Sequence, residues 1–202
     1  MPVVDKPVRS MREQIIDTLR SEVLSGAWSN DAPVREHTLA ERFGVSRGPI
    51  RDALLQLSQE GVLVYRPNKG VRVNTPPSEG ERQLLQSMRR EMEAFCLKQC
   101  IGDLTGADDE QLEGILADLS SACARGDLSA ITDSDLALHR YLVRRASREL
   151  ERVWLSITSR VLMDYSRIDQ FDEIVAEHIA IVEAVRKRDF MAAQKALNAN
   201  II

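Results

Sequence analysis

Residues 38–73 read TLAERFGVSRGPIRDALLQLSQEGVLVYRPNKGVRV, and their pattern decides the fold of the first third of the chain. Leu39, Ala40 and Phe43 recur at helical spacing behind Thr38, and Thr38 with Glu41 makes a capping-box pattern. Gly44-Val45-Ser46 supplies a three-residue turn. Ser46 then stands as N-cap for a second helix that opens at Arg47 and turns Ala53, Leu54 and Leu57 inward. Pro49 is compatible with that helix because it falls in the first turn. Two short β-runs follow, 62–66 and 70–73, joined by Pro67-Asn68-Lys69. The stretch is a helix-turn-helix with a hairpin wing. Arginines at the exposed start of the second helix are placed to enter a DNA major groove.

Upstream, Ser10 and Glu13 form a capping-box pattern ahead of Met11, Ile15, Leu19 and Val23, a helix that Gly26 closes. Ala32-Pro33-Val34 allows only a short edge strand. Downstream, Thr75-Pro76-Pro77-Ser78 interrupts helix and ladder alike and reads as a linker. Beyond it the periodicity predicts six helices: 79–101, 108–124, 128–147, 149–167, 173–186 and 190–200. The expected fold is therefore mostly α. A winged helix-turn-helix domain occupies residues 1–75, and an all-α six-helix bundle occupies 76–202.

Composition fits this plan. The 202 residues are 44% hydrophobic and 29% charged but only 4% aromatic, so the core must be built from Leu, Ile, Val and Ala. No apolar run approaches the ~18 residues of a membrane span, and the sequence opens without the apolar core of a signal peptide. Three cysteines cannot all pair, which points to a cytoplasmic protein. Cys96 and Cys100, four apart, and Cys123 read as buried small residues.

The net charge of −4 conceals a division. Residues 1–75 carry eleven Lys/Arg against nine Asp/Glu, whereas residues 76–202 carry sixteen against twenty-two. DNA affinity follows local phosphate contacts, not whole-chain charge. In the winged segment, Arg47 and Arg51 lie one turn apart on one helix face, offering planar forks that match guanine O6 and N7. Gly48 keeps the backbone open beside them. Arg35 is placed for the DNA backbone, His37 for a hydrogen bond, and Asn68-Lys69-Gly70 for a basic wing tip in the minor groove.

Ser46-Arg47-x-Pro49-x-Arg51-x-Ala53-Leu54, Leu57, Glu60-Gly61 and Arg66-Pro67-Asn68-x-Gly70 resemble the DNA-binding domain of the GntR family of bacterial transcriptional regulators. The resemblance implies base reading by Arg47 and Arg51, a wing in the minor groove, and a homodimer on an inverted-repeat operator. Gly48 stands where the family more often has Thr.

In the second half, Asp135 and His139 are at i and i+4 on one helix face, and His178 lies two helices further on. If packing brought the three together they could hold Zn²⁺, Ni²⁺ or Mn²⁺. A helical His is otherwise an ordinary hydrogen-bonding residue. Asp135-x-x-x-His139, Glu177-His178-x-x-Ile181, Arg188-Asp189-x-x-x-Ala193 and Arg89-Arg90-x-x-Glu93 resemble the all-helical FCD effector domain of the FadR subfamily. That resemblance implies one divalent metal on an Asp and three His at the base of a cavity. Asn200 stands at the third His position and offers only a carbonyl oxygen, a weaker ligand than imidazole.

A metal would take up a small carboxylate effector, with Arg89 as a second contact; a salt bridge from Arg89 to Glu93 is the competing role. Leu85, Met88, Met92 and Phe95 form a packed or dimer face. The expected function is a ligand-responsive regulator, a repressor binding double-stranded operator DNA, and not an enzyme. A metal-dependent enzyme domain tethered to DNA and a constitutive repressor with a vestigial pocket are the alternatives.

Overall fold

The computed structural model describes residues 10–163 and 170–201. The chain runs α1 (Met11–Leu24), α2 (Glu36–Phe43), α3 (Arg47–Gln59), β1 (Leu63–Arg66), β2 (Gly70–Val73), α4 (Glu79–Cys100), α5 (Gly106–Arg125), α6 (Leu128–Ala146), α7 (Arg148–Leu162), α8 (Phe171–Arg186) and α9 (Phe190–Asn200). A single 3-10 turn, Ile101–Asp103, follows α4.

Local chemistry sets most of these boundaries. Ser10 caps α1 through the expected box, and Ser78 with Glu81 and Thr105 with Asp108 do the same for α4 and α5. Asp127, Ser147 and Asp189 cap α6, α7 and α9 through their side chains. Gly44 ends α2 at φ 64°, a left-handed geometry that leaves a sharp turn into α3. In the wing, Leu63 pairs with Val73 and Arg66 with Gly70. Asn68 and Gly70 both have positive φ, which closes the hairpin tightly. Pro33 bridges Arg72, so the anticipated edge strand is reduced to one bridge beside the hairpin.

Two expectations about caps are corrected. α2 starts at Glu36 with Arg35 as N-cap residue, so Thr38 lies inside the helix and caps nothing. The Leu39 amide already bonds the Arg35 carbonyl, and Glu36 puts an acid in the first turn, where the helix dipole favours it. Ser46 is the N-cap residue of α3 but makes no side-chain capping bond. Of the helix expected over 149–167, residues 164–167 lie outside the described residues.

Ile15, Leu19, Leu39, Ile50, Leu57, Val62 and Val73 form the core of the winged part. Leu97, Leu112, Leu138, Ile181, Val185 and Leu197 form a core between α4, α5, α6, α8 and α9. Each such side chain stabilises the fold by about 1.5–3 kcal/mol through burial. The two parts are joined by packing as well as by the linker. Leu24 of α1 is buried with Cys96, Leu136, Trp154 and Leu162. Ser21 Oγ donates to the Ser129 carbonyl at 2.7 Å, and Arg140 lies 3.8 Å from Asp17 and 2.6 Å from Glu151. Arg160 donates to the Thr75 carbonyl at the linker at 2.8 Å.

Candidate DNA-reading face and buried polar site

The exposed surface of α2, α3 and the wing carries the basic residues, and acids hold many of them. Arg42 forks onto Glu22, Arg51 Nε donates to Glu36 Oε2 at 2.8 Å, and Arg66 and Arg72 lie 3.1 and 2.9 Å from Asp31. His37 lies 3.1 Å from Glu41. Arg35, Arg47 and Lys69 are exposed and form no ion pair among the described residues. A Cβ on Gly48 would meet only the Ser46 hydroxyl, at 4.0 Å, so the backbone at the start of α3 is open to a duplex. The acid at position 31 depends on its neighbours: the hydrogen bond from Arg72 holds its carboxyl below the usual range, against some desolvation.

The second site is buried. Asp135 and His139 on α6 meet His178 on α8, with one ligand atom from each lying within 4.8 Å of the others. Both imidazoles are fully buried. His178 Nδ1–H donates to the Ile174 carbonyl at 2.7 Å, an acceptor only, which fixes the proton on Nδ1. His139 Nδ1–H donates to Glu93 Oε2 at 2.6 Å. The Nε2 atom of each ring is thereby left as the inward-facing nitrogen. Neither Nε2 has an aligned hydrogen-bond partner. His178 Nε2 lies 3.0 Å from Asp135 Oδ1. Burial would lower the His178 basicity, but the Asp135 carboxylate raises it above the ordinary value. Asp135, despite its own burial, is held low by His178 and His139.

Glu93 organises this arrangement from α4. Its Oε1 accepts from Arg89 Nε and Trp154 Nε1, both at 2.7 Å, while Oε2 takes His139. Burial alone would push its carboxyl up; the facing His139 and Arg89 bring it down to about 2. Arg89 still has Nη2 unpartnered, and Gln86 Nε2 and Thr158 Oγ1 are buried and unpartnered as well. α7 packs on α4, with Trp154 donating to Glu93. Buried polar atoms without partners are rare in native folds.

Two family models match this layout: bacterial regulatory proteins of the gntR family over residues 11–73, and the FCD domain over residues 84–201. The chain belongs to the GntR family and carries an FCD domain. The regulator is similar to the HTH-type transcriptional repressor RspR of Escherichia coli K12, 26% identical over 96% of this chain and 87% of the relative. It is equally similar to a probable D-xylose utilization operon transcriptional repressor of Paenarthrobacter nicotinovorans, 26% identical over 95% and 86%. The solved structure of E. coli McbR/YncC shares the fold with a TM-score of 0.77 at 20% identity, covering 96% of this chain and 94% of that one.

The structure gathers Asp135, His139 and His178 into one cluster, and sets Arg89 one helical turn from the glutamate that orients His139. Arg89 takes the salt-bridge role that its sequence context offered. It pairs with Glu93 and keeps a free nitrogen. Asn200 is largely buried at the end of α9, and its amide nitrogen donates to Glu177, the neighbour of His178, at 2.9 Å. Its carbonyl oxygen is the only atom it could lend to a metal. Trp154, which carries no motif, emerges as a partner of Glu93. Only the packing of α7 on α4 brings them together, so no sequence spacing could have found it. All three cysteines are buried thiols, and burial pushes Cys96 up to about 11. Among the described residues no helix is long and apolar enough to cross a membrane.

Proposed function

We propose that the regulator is a repressor whose affinity for an inverted-repeat operator responds to a small carboxylate bound in the helical part. The observation that carries this reading is the buried cluster of Asp135, His139 and His178, whose ligand atoms lie within 4.8 Å of one another, with His139 Nε2 left without a hydrogen-bond partner. Imidazole nitrogens fixed through Nδ1 by a carboxylate and a carbonyl have the orientation that metal-ligating histidines use. The donor set of two imidazoles, one carboxylate and the Asn200 carbonyl suits Zn²⁺, Ni²⁺ or Mn²⁺. A divalent ion held there would supply the positive charge that accepts a carboxylate oxygen. Arg89 Nη2, Gln86 Nε2 and Thr158 Oγ1 then provide the hydrogen bonds that orient the rest of the acid.

Reading of DNA falls to Arg47 and Arg51 at the start of α3, with Arg35, His37, Ser46, Gly48, Asn68, Lys69 and Gly70 around them. The route between the two sites is α6. It holds Asp135 and His139 and also touches α1 through Ser129 and Arg140, so a shift of α6 on ligand binding moves the winged part. The operator symmetry requires a homodimer. On α4, Leu84, Met88 and Phe95 are 62%, 44% and 54% exposed along one face, which suits a second copy. Met92, expected on that face, turns inward and packs near Trp154.

The test combines metal analysis of purified protein with duplex binding in the presence of Zn²⁺, Ni²⁺ or Mn²⁺ and a panel of short carboxylic acids. A ligand-dependent change in affinity, with the acid recovered unchanged, supports a sensor. Chemical conversion of the acid would show a metal-dependent enzyme instead. An affinity unchanged by every metal and acid would make the protein a constitutive repressor.

A further inference from the structure

Arg47 and Arg51 sit one turn apart on the same helix, but their surroundings differ. Arg47 has no acid beside it among the described residues, whereas Arg51 is gripped by Glu36 from the neighbouring helix. The grip is one-sided: Glu36 Oε2 takes the Nε–H at 2.8 Å, and among the described residues no other bond is made to the guanidinium. A guanidinium held along its Nε edge presents the two terminal nitrogens outward, and those are the atoms that form a bidentate pair with guanine O6 and N7. Glu36 is itself anchored in the first turn of α2, where the helix dipole favours a carboxylate. Side-chain and guanidinium are therefore aimed before DNA arrives.

We infer that Glu36 is a positioning residue for sequence reading: it orients the Arg51 fork toward a base edge and suppresses Arg51 contact with phosphate. The inference rests on the reading that Arg51 contacts bases. Glu36 is 37% exposed on the face that meets the duplex, so its negative charge opposes the phosphate backbone on every sequence. A residue that weakens general affinity while fixing one donor fork raises discrimination in two ways, since a freed Arg51 would reach for phosphates anywhere. Other acid–arginine pairs on this part of the molecule work differently. Glu22 and Asp31 engage arginines of α2 and the wing strands, away from the start of α3.

The experiment is selection from a random-sequence duplex library with the full-length protein and with Glu36→Ala, Glu36→Gln, Arg51→Ala and Arg47→Ala, followed by binding to the consensus duplex and to an unrelated duplex. Circular dichroism checks that each variant is folded. Glu36→Ala is expected to flatten the base position that Arg51→Ala flattens, by about fivefold or more. It should leave the Arg47 position intact and tighten binding to the unrelated duplex. Glu36→Gln keeps an acceptor for Nε without the charge, so it should restore the base preference while retaining the tighter general binding. If Glu36→Ala tightens binding equally on all duplexes and every base position survives, the positioning role is overturned and Glu36 is only a surface charge. If Arg51→Ala itself leaves every position intact, base reading by Arg51 fails, and the inference falls with it.

Discussion

The DNA-reading face and the buried polar site are both built from charged residues, yet they obey opposite rules. On the face of α3, charges stand in water and their ion pairs are exposed. A residue there can be exchanged with little effect on stability and a large effect on recognition. Between α4, α6 and α8, Glu93, Arg89, Asp135 and the two histidines are buried and support one another. Removing one leaves the others uncompensated. Changes on the DNA-reading face thus leave the fold intact, whereas changes to the buried charges also cost stability.

The sharpest way to break this comparison is a stability measurement. Glu93→Ala should destabilise the protein by about 3–5 kcal/mol, because Arg89 and His139 lose their shared buried partner. Arg47→Ala should change stability by less than about 0.5 kcal/mol. Chemical denaturation of the two variants checks both, and equal losses would erase the distinction. The milder Glu93→Gln keeps a hydrogen-bond acceptor for His139, and it should lower metal affinity roughly 10–100-fold through misorientation of the ring, read by competition with a chelating dye. Since Asp135 holds the His178 proton above its ordinary range, that proton competes with the ion. Metal affinity should accordingly rise with pH through the imidazole range and level off above it.

On the DNA side, Arg47→Ala should remove about 1–3 kcal/mol of discrimination at one operator position. Equal weakening on all duplexes would make Arg47 a phosphate contact. The smallest effect belongs to the junction between the two regions. Arg140 joins the helix of His139 to Asp17 of α1, and Arg140→Ala should alter stability by at most about 1 kcal/mol while reducing the response of operator binding to the effector. An unchanged response would remove Arg140 from the coupling route.

The two regions also differ in how far the sequence exposed them. The winged part is built from local signals: turn residues, caps and short-range apolar spacing, all within a few dozen residues. Arg47, Gly44 and the Asn68–Gly70 turn are therefore legible letter by letter. The exceptions are caps, where Thr38 and Ser46 carry the right chemistry but the backbone begins α2 earlier and leaves Ser46 without its bond. In the helical part, helix spacing placed Asp135 and His139 on one face, and resemblance pointed to His178 and Asn200. What escaped was Glu93 as the hub with Trp154, and Gln86 and Thr158 as unused donors. Those relations arise from helices that lie far apart in sequence, and periodicity reports which way a helix faces but not what it meets.

The central claim is that one ligand shell in the helical part controls DNA affinity. Its most direct test is the affinity for the selected consensus duplex, measured by fluorescence anisotropy with and without metal and carboxylate, for the wild type and for His139→Ala. A ligand-dependent change of about tenfold or more in the wild type, absent in a folded His139→Ala protein, is the predicted result. A wild type indifferent to every metal and acid, or a His139→Ala variant that still responds in full, would contradict it.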